Sequence, residues 1–113
     1  MAKRKGTTGG TRSSPEWTVI LKALADESRL RIVRELLKHE SSVSNLSETL
    51  GIRIYNISRH LRVLENSGLV TKRKEGNSRI YSIAKDIKRH FSDEEQILDL
   101  GCCMFKFSGS SSD

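Results

Sequence analysis

The chain has 113 residues, enough for one small domain with tails and too few for a second catalytic lobe. Lys and Arg outnumber Asp and Glu by 20 to 14, a formal charge of +6 that suits a chain meeting a polyanion without choosing among DNA, RNA and an acidic membrane surface. The two cysteines, Cys102 and Cys103, are adjacent and cannot staple distant segments, which excludes a disulfide scaffold and fits a reduced, cytoplasmic setting.

Residues 1–14 hold Gly, Thr, Ser, Lys and Arg with no apolar anchor before Trp17, so a disordered basic arm is expected, with Lys3, Arg4, Lys5 and Arg12 either solvated or on phosphates. The arm lacks the apolar stretch of a signal peptide, and no run approaches the ~18 apolar residues of a membrane span, so no membrane partner is expected. Residues 15–107 read as a single folded domain, and the Gly/Ser-rich residues 108–113 as a flexible tail.

Trp17, Ile20, Leu21 and Leu24 fall at i, i+3, i+4, i+7, the stripe of an amphipathic helix entered through Pro15 and Glu16. A second helix over residues 27–39 takes Asp26 as N-cap and carries Leu30, Ile32, Val33, Leu36 and Leu37 on a broad apolar face. After a Ser-rich loop at Ser41 and Ser42, Ser44 can cap a short helix over 45–50 that Gly51 ends. A longer helix follows over 54–66, with Gly68 as its C-terminal stop. This helix, turn and helix form a helix-turn-helix, whose second helix is shaped for the DNA major groove.

Residues 69–74 and 78–83, joined through Glu75, Gly76 and Asn77, read as a β-hairpin, and a hairpin directly after a helix-turn-helix is a wing. Ile83, Ile87 and Phe91 at i, i+4, i+8 predict a short helix over 84–91, with Ser92 and Glu95 as a capping box for another turn. The alternation of Leu98, Leu100, Cys102 and Met104 with their neighbours leans toward strand and leaves helix open. The expected fold is therefore mainly α with a β-hairpin wing.

At about 100° per residue, Ile57, Leu61 and Leu64 lie on one side of the 54–66 helix while Tyr55, Ser58, Arg59 and Arg62 gather opposite. Arg grips guanine and Asn grips adenine in bidentate fashion, and Ser or Tyr bonds a phosphate or a base edge. Tyr55, Asn56, Ser58 and Arg59 are thus candidate base readers, with Arg53 and Arg62 on the backbone. His60, at the margin of the buried face, reads as a half-buried helix histidine with a local partner. In the wing, Lys72, Arg73, Lys74, Asn77 and Arg79 concentrate donors, of which Lys74, Asn77 and Arg79, nearest the tip, are the candidate DNA contacts.

The run Leu21-Lys-Ala-Leu-Ala-Asp-Glu-Ser-Arg-Leu-Arg-Ile-Val-Arg-Glu-Leu-Leu37, followed by Leu46-Ser-Glu-Thr-Leu-Gly51, Ile57-Ser-Arg-His-Leu-Arg-Val-Leu-Glu-Asn-Ser-Gly-Leu-Val70 and the wing Lys74-Glu-Gly-Asn-Ser-Arg-Ile-Tyr81, resembles the ArsR/SmtB family of metal- and arsenic-responsive repressors. The resemblance covers roughly residues 21–82. It implies a homodimer whose two recognition helices enter successive major grooves of a palindromic duplex, released by an inducer. Trp17, Ile20 and the C-terminal apolar run would supply surplus apolar surface for that dimer.

The family's arsenic or cadmium site uses a Cys-Val-Cys stretch where this chain has Ser42-Val43-Ser44, and hydroxyls are poor ligands for soft ions. Its zinc site uses Asp and His at fixed spacings on the last helix, where Asp86 here has Lys88 two positions on and only His90 nearby. Relatives often start the recognition helix with a Ser cap; Arg53 stands there, so the first turn is expected to be held differently.

Cys102 and Cys103 remain as a candidate sensor. Two thiolates bind a soft metal or arsenite, a dimer could assemble four for zinc or cadmium, and the same thiols could respond to redox state; packing in an apolar segment is the plainer alternative. No cofactor is certain. The function expected is sequence-specific double-stranded DNA binding in transcription regulation, as a repressor. The alternative is a winged-helix module for protein or RNA contact. An enzyme is not expected, since no phosphate loop, nucleophile–base pair or paired carboxylates stand in a recognisable setting.

Overall fold

A computed structural model describes residues 16–92, 94–99 and 103–107. The expected arm at 1–14, the tail at 108–113 and Cys102 lie outside the described residues. Helix α1 (Trp17–Leu24) is followed after two residues by α2 (Glu27–Lys38), which Asp26 caps by accepting from the Arg29 backbone N–H at 3.0 Å. After His39 and Glu40, Ser41–Ser42 form a short strand, β1, rather than the expected loop. They pair antiparallel with Ile80 and Tyr81, which pins Ser42 at the mouth of α3 (Val43–Leu50). The cap is therefore Ser42, whose hydroxyl accepts from the Asn45 N–H at 3.1 Å, and not Ser44, which is exposed within the first turn.

Gly51 ends α3 in the left-handed region at φ 69°, donating to the Ser47 carbonyl at 2.9 Å, and the Arg31 guanidinium closes the Leu50 carbonyl at 2.7 Å. Helix α4 (Ile54–Asn66) has the bounds its pattern predicts. Arg53 sits at its N-cap without a side-chain capping bond. Its far end is a Schellman motif: Gly68, at φ 88°, donates to the Glu65 carbonyl at 3.0 Å and Leu69 to the Leu64 carbonyl at 3.1 Å.

Strands β2 (Val70–Glu75) and β3 (Ser78–Ile83) form the wing around a two-residue turn, so that Glu75 opposes Ser78 and only Gly76 and Asn77 connect them. Gly76, at φ 63°, holds the first turn position, as a tight hairpin prefers. The sheet order is β1-β3-β2, which places the wing edge to edge with the entry to α3.

The C-terminal segment departs from expectation. Helix α5 (Lys85–Lys88) is one turn long and stops before Phe91, because Phe91–Ser92 form strand β4 and pair with Leu98 and Ile97. Ser92 does accept from the Glu95 N–H at 3.4 Å, but the bond closes a turn and caps no helix. With β5 (Ile97–Asp99) and β6 (Met104–Lys106) it makes a second antiparallel sheet, order β4-β5-β6, so this part of the chain is strand.

The core gathers α1, α2, α3, α4 and the wing base around Ile20, Leu24, Ile32, Leu46, Ile57, Leu61 and Leu64, each 1 % exposed or less. Burying such a side chain contributes about 1.5–3 kcal/mol against leaving it in water. Ile20, counted above as surplus surface, is thus core, and Leu98 and Phe107 are likewise buried within their own chain. Trp17 is half-buried, its ring edge-on to His90 at 5.2 Å between centroids. Among the described residues the exposed aliphatic side chains are Val19, Ile54, Val63 and Met104, of which only Met104 belongs to the C-terminal apolar run. Among the described residues no helix is long and apolar enough to cross a membrane.

Candidate nucleic-acid interface

Helix α4 is anchored by Ile57, Leu61 and Leu64, all 0 % exposed, so its other residues are distributed by the helical period. Tyr55, Arg59 and Arg62 face outward, Tyr55 being 71 % exposed, and the Arg59 guanidinium lies over the Tyr55 ring at 5.8 Å. Ser58 and Arg62 turn toward the wing. Together with Ser42, Ser44, Lys72, Asn77 and Arg79 they line an open cleft of about 590 Å³ between α4, β3 and the start of α3. Asn56 falls on the opposite flank of α4, beside Arg29, Arg59 and His60. Arg53 is exposed just ahead of the helix. The structure thus brings Ser58, Arg62, Asn77 and Arg79 to one cleft, with Asn56 and Arg59 beside the hollow on the opposite flank of α4 and Tyr55 exposed on its outer face.

The basic residues of the wing separate by register. Lys72 pairs with Tyr81 and Lys74 with Arg79, so these side chains share the face that closes toward α4, whereas Arg73, opposite Ile80, points to the other face. There Arg73 is clamped: its two terminal nitrogens reach the two Glu40 carboxylate oxygens at 2.7 and 2.8 Å, and one of them reaches Glu75 at 3.2 Å. Hydrogen bonding from Arg73 lowers the Glu40 pKa, and Glu40 in turn raises that of Arg73. Lys72 is also partnered, by Glu65 at 3.5 Å. Among the described residues no carboxylate pairs with Lys74 or Arg79.

Sequence reasoning missed this clamp because Glu40 lies 33 positions from Arg73. His60 is half-buried on the flank of α4, as expected, but its partner is not local: Nδ1 stands 3.4 Å from a terminal nitrogen of Arg29 on α2.

The positions where the resemblance places metal ligands do not fit a metal. The Ser42 hydroxyl is engaged as the cap of α3, Asp86 faces Arg89 at 3.5 Å, and His90 is packed on Trp17. Among the described residues no three His, Cys, Asp or Glu side chains cluster as a ligand set. Cys103 is exposed just ahead of β6, so packing in an apolar core does not describe it.

A helix-turn-helix domain model matches residues 24–73, which run from the end of α1 to the middle of β2. The transcriptional activator HlyU of Vibrio cholerae is 40% identical over 73 residues, 65% of this chain and 68% of that one. Its reduced form superposes with a TM-score of 0.60 at 39% identity, covering 65% of this chain and 78% of that chain. The arsenical resistance operon repressor of Bacillus subtilis is 32% identical over 89 residues, 78% of this chain and 80% of its own length. The homodimeric winged helix-turn-helix DNA-binding domain Mb0332 of Mycobacterium bovis, a 1–100 fragment, matches with a TM-score of 0.61 at 34% identity, over 65% of this chain and 68% of that one. With its helix-turn-helix, its wing and this degree of identity, the chain belongs to the ArsR/SmtB family of winged helix-turn-helix DNA-binding transcription regulators.

Proposed function

We propose that the chain is a homodimeric, sequence-specific repressor that works in the cytoplasm, binds without catalysing a reaction, and reads a palindromic duplex. In this reading α4 lies in the major groove, with Tyr55, Asn56, Ser58 and Arg59 toward base edges and Arg53 and Arg62 on phosphates. The backbone passes along the cleft beneath the wing, held by Lys74, Asn77 and Arg79. The observation that carries the reading is that cleft, where Ser58 and Arg62 of α4 meet Asn77 and Arg79 of the wing. A dimer is favoured by the homodimeric Mycobacterium bovis relative and by exposed Val19 and Val63, which border one apolar groove between α1 and α4.

The test is duplex titration with the chain's own promoter DNA and with random sequence. Arg59→Ala is expected to cost about 1–3 kcal/mol per half-site on the promoter and much less on random DNA. Promoter binding no tighter than random binding would refute sequence-specific reading, and single-stranded RNA outcompeting duplex would favour the interaction-module alternative.

A second reading concerns control. The exposure of Cys103 favours thiol chemistry, either a soft metal or arsenite held by Cys102 and Cys103 or oxidation of the pair, as the signal that changes DNA affinity. Native mass spectrometry with arsenite, zinc and oxidant, read beside duplex affinity, tests it. No difference between wild type and Cys102→Ser/Cys103→Ser would remove the thiols from the mechanism.

A further inference from the structure

Arg29 joins three helices. Its side chain, 18 % exposed, donates from Nε to the Ala23 carbonyl in α1, and its Nη1 stands 3.9 Å from the Asp26 carboxylate that caps α2. The same Nη1 is 3.4 Å from His60 Nδ1 on α4. A guanidinium has donors and no acceptor, so a hydrogen bond across this contact makes Nδ1 the accepting nitrogen and leaves the ring hydrogen on Nε2. None of the described residues offers Nε2 an acceptor. His60, Asn56 and Arg59 surround a hollow of about 130 Å³ on the flank of α4 opposite Ser58 and the wing.

A helix seated in the major groove has a phosphate strand along each flank. The wing flank has Arg62 and Arg79 for its strand, and the other flank has this hollow.

We propose that Arg29 is a positioning residue for DNA binding: it holds His60 in the Nε2–H tautomer and so aims an uncharged donor at the phosphate strand remote from the wing. The inference rests on the DNA reading above. An uncharged donor adds affinity without releasing a counterion, which separates it from every Lys and Arg contact.

The experiment uses the full chain. Long-range proton–nitrogen NMR correlation is expected to show the Nε2–H tautomer for His60 in the wild type and a mixture in Arg29→Met. In duplex titrations, His60→Gln, whose amide nitrogen reaches the place of Nε2, should stay within about twofold of wild type, whereas His60→Asn, which reaches only the place of Nδ1, should bind about fivefold more weakly. That loss should be equal on promoter and random DNA, with the salt dependence unchanged.

Circular dichroism identifies an Arg29→Met chain that fails to fold, and the His60 pair keeps the test intact in that event. An Nδ1–H tautomer in the wild type, wild-type affinity in His60→Asn, or a salt slope reduced by about 0.9 per chain would overturn the proposal. A wild type that binds no duplex would overturn the DNA reading itself, while the tautomer measurement would still report on the Arg29 contact.

Discussion

The most discriminating prediction concerns two wing arginines that sequence alone treats alike. Arg79 lines the cleft under the wing, while Arg73 is held on the other face by both oxygens of Glu40. Each phosphate neutralised by a side chain adds about 0.9 to the slope of log affinity against log salt, hence about 1.8 for a residue present twice in a dimer. Between roughly 50 and 200 mM salt that slope amounts to about a twelvefold change in affinity. Arg79→Gln should therefore flatten the salt dependence by that amount. Glu40→Gln/Arg73→Gln removes one charge of each sign, conserves the local net charge, and should leave the slope where it is. Fluorescence anisotropy with a labelled duplex over a salt series measures both. A slope reduced as much by the double variant as by Arg79→Gln would refute the assignment of Arg73 to Glu40 and place it on the backbone.

Two further outcomes test the scaffold. Ser42→Ala should cost about 1 kcal/mol in urea unfolding through loss of the α3 cap, while Ser44→Ala should change stability by less than about 0.5 kcal/mol. The Asp26 pKa is lowered, chiefly by the Arg29 backbone N–H it accepts from, with the Arg29 charge assisting. A carboxylate with a lowered folded-state pKa contributes stability that is whole above its unfolded value and is lost as pH falls through the folded one. Asp26→Asn keeps the cap without the titration, so thermal unfolding followed below about pH 4 should fall less steeply in the variant than in the wild type. Parallel acid limbs in the two proteins would exclude Asp26 as a contributor.

What was legible in the sequence is what depends on near neighbours. The bounds of α4 follow from Ile57, Leu61 and Leu64 at helical spacing and from Gly68, whose positive φ closes the Schellman turn within five residues. Asp26 as a cap is equally local. The cap of α3 was misplaced because Ser42 is held by a strand some forty positions on, and Ser44, two positions later, looks equivalent without that strand. Phe91 satisfied a helical period with Ile83 and Ile87, yet pairing with Leu98 took it into a sheet. The outward stripe of α4 was readable from periodicity alone. Which basic residues of the wing are already paired was not, because the acids that hold Arg73 and Lys72 come from the link between α2 and β1 and from α4.

The pairing of Ser41–Ser42 with Ile80–Tyr81 has a mechanical meaning. The first helix of the motif and the wing do not move as separate parts: any tilt of the hairpin on a bent or groove-widened duplex is passed through backbone hydrogen bonds straight to the start of α3, without a loop to absorb it. One of the two positions that carry soft-metal ligands in the family pattern, Ser42, is in this chain the rivet of that joint. A signal that loosens the grip on DNA by prying the wing from α3 must break strand pairing to do so, whereas one arriving through the C-terminal sheet leaves the joint whole and displaces the reading head as a unit.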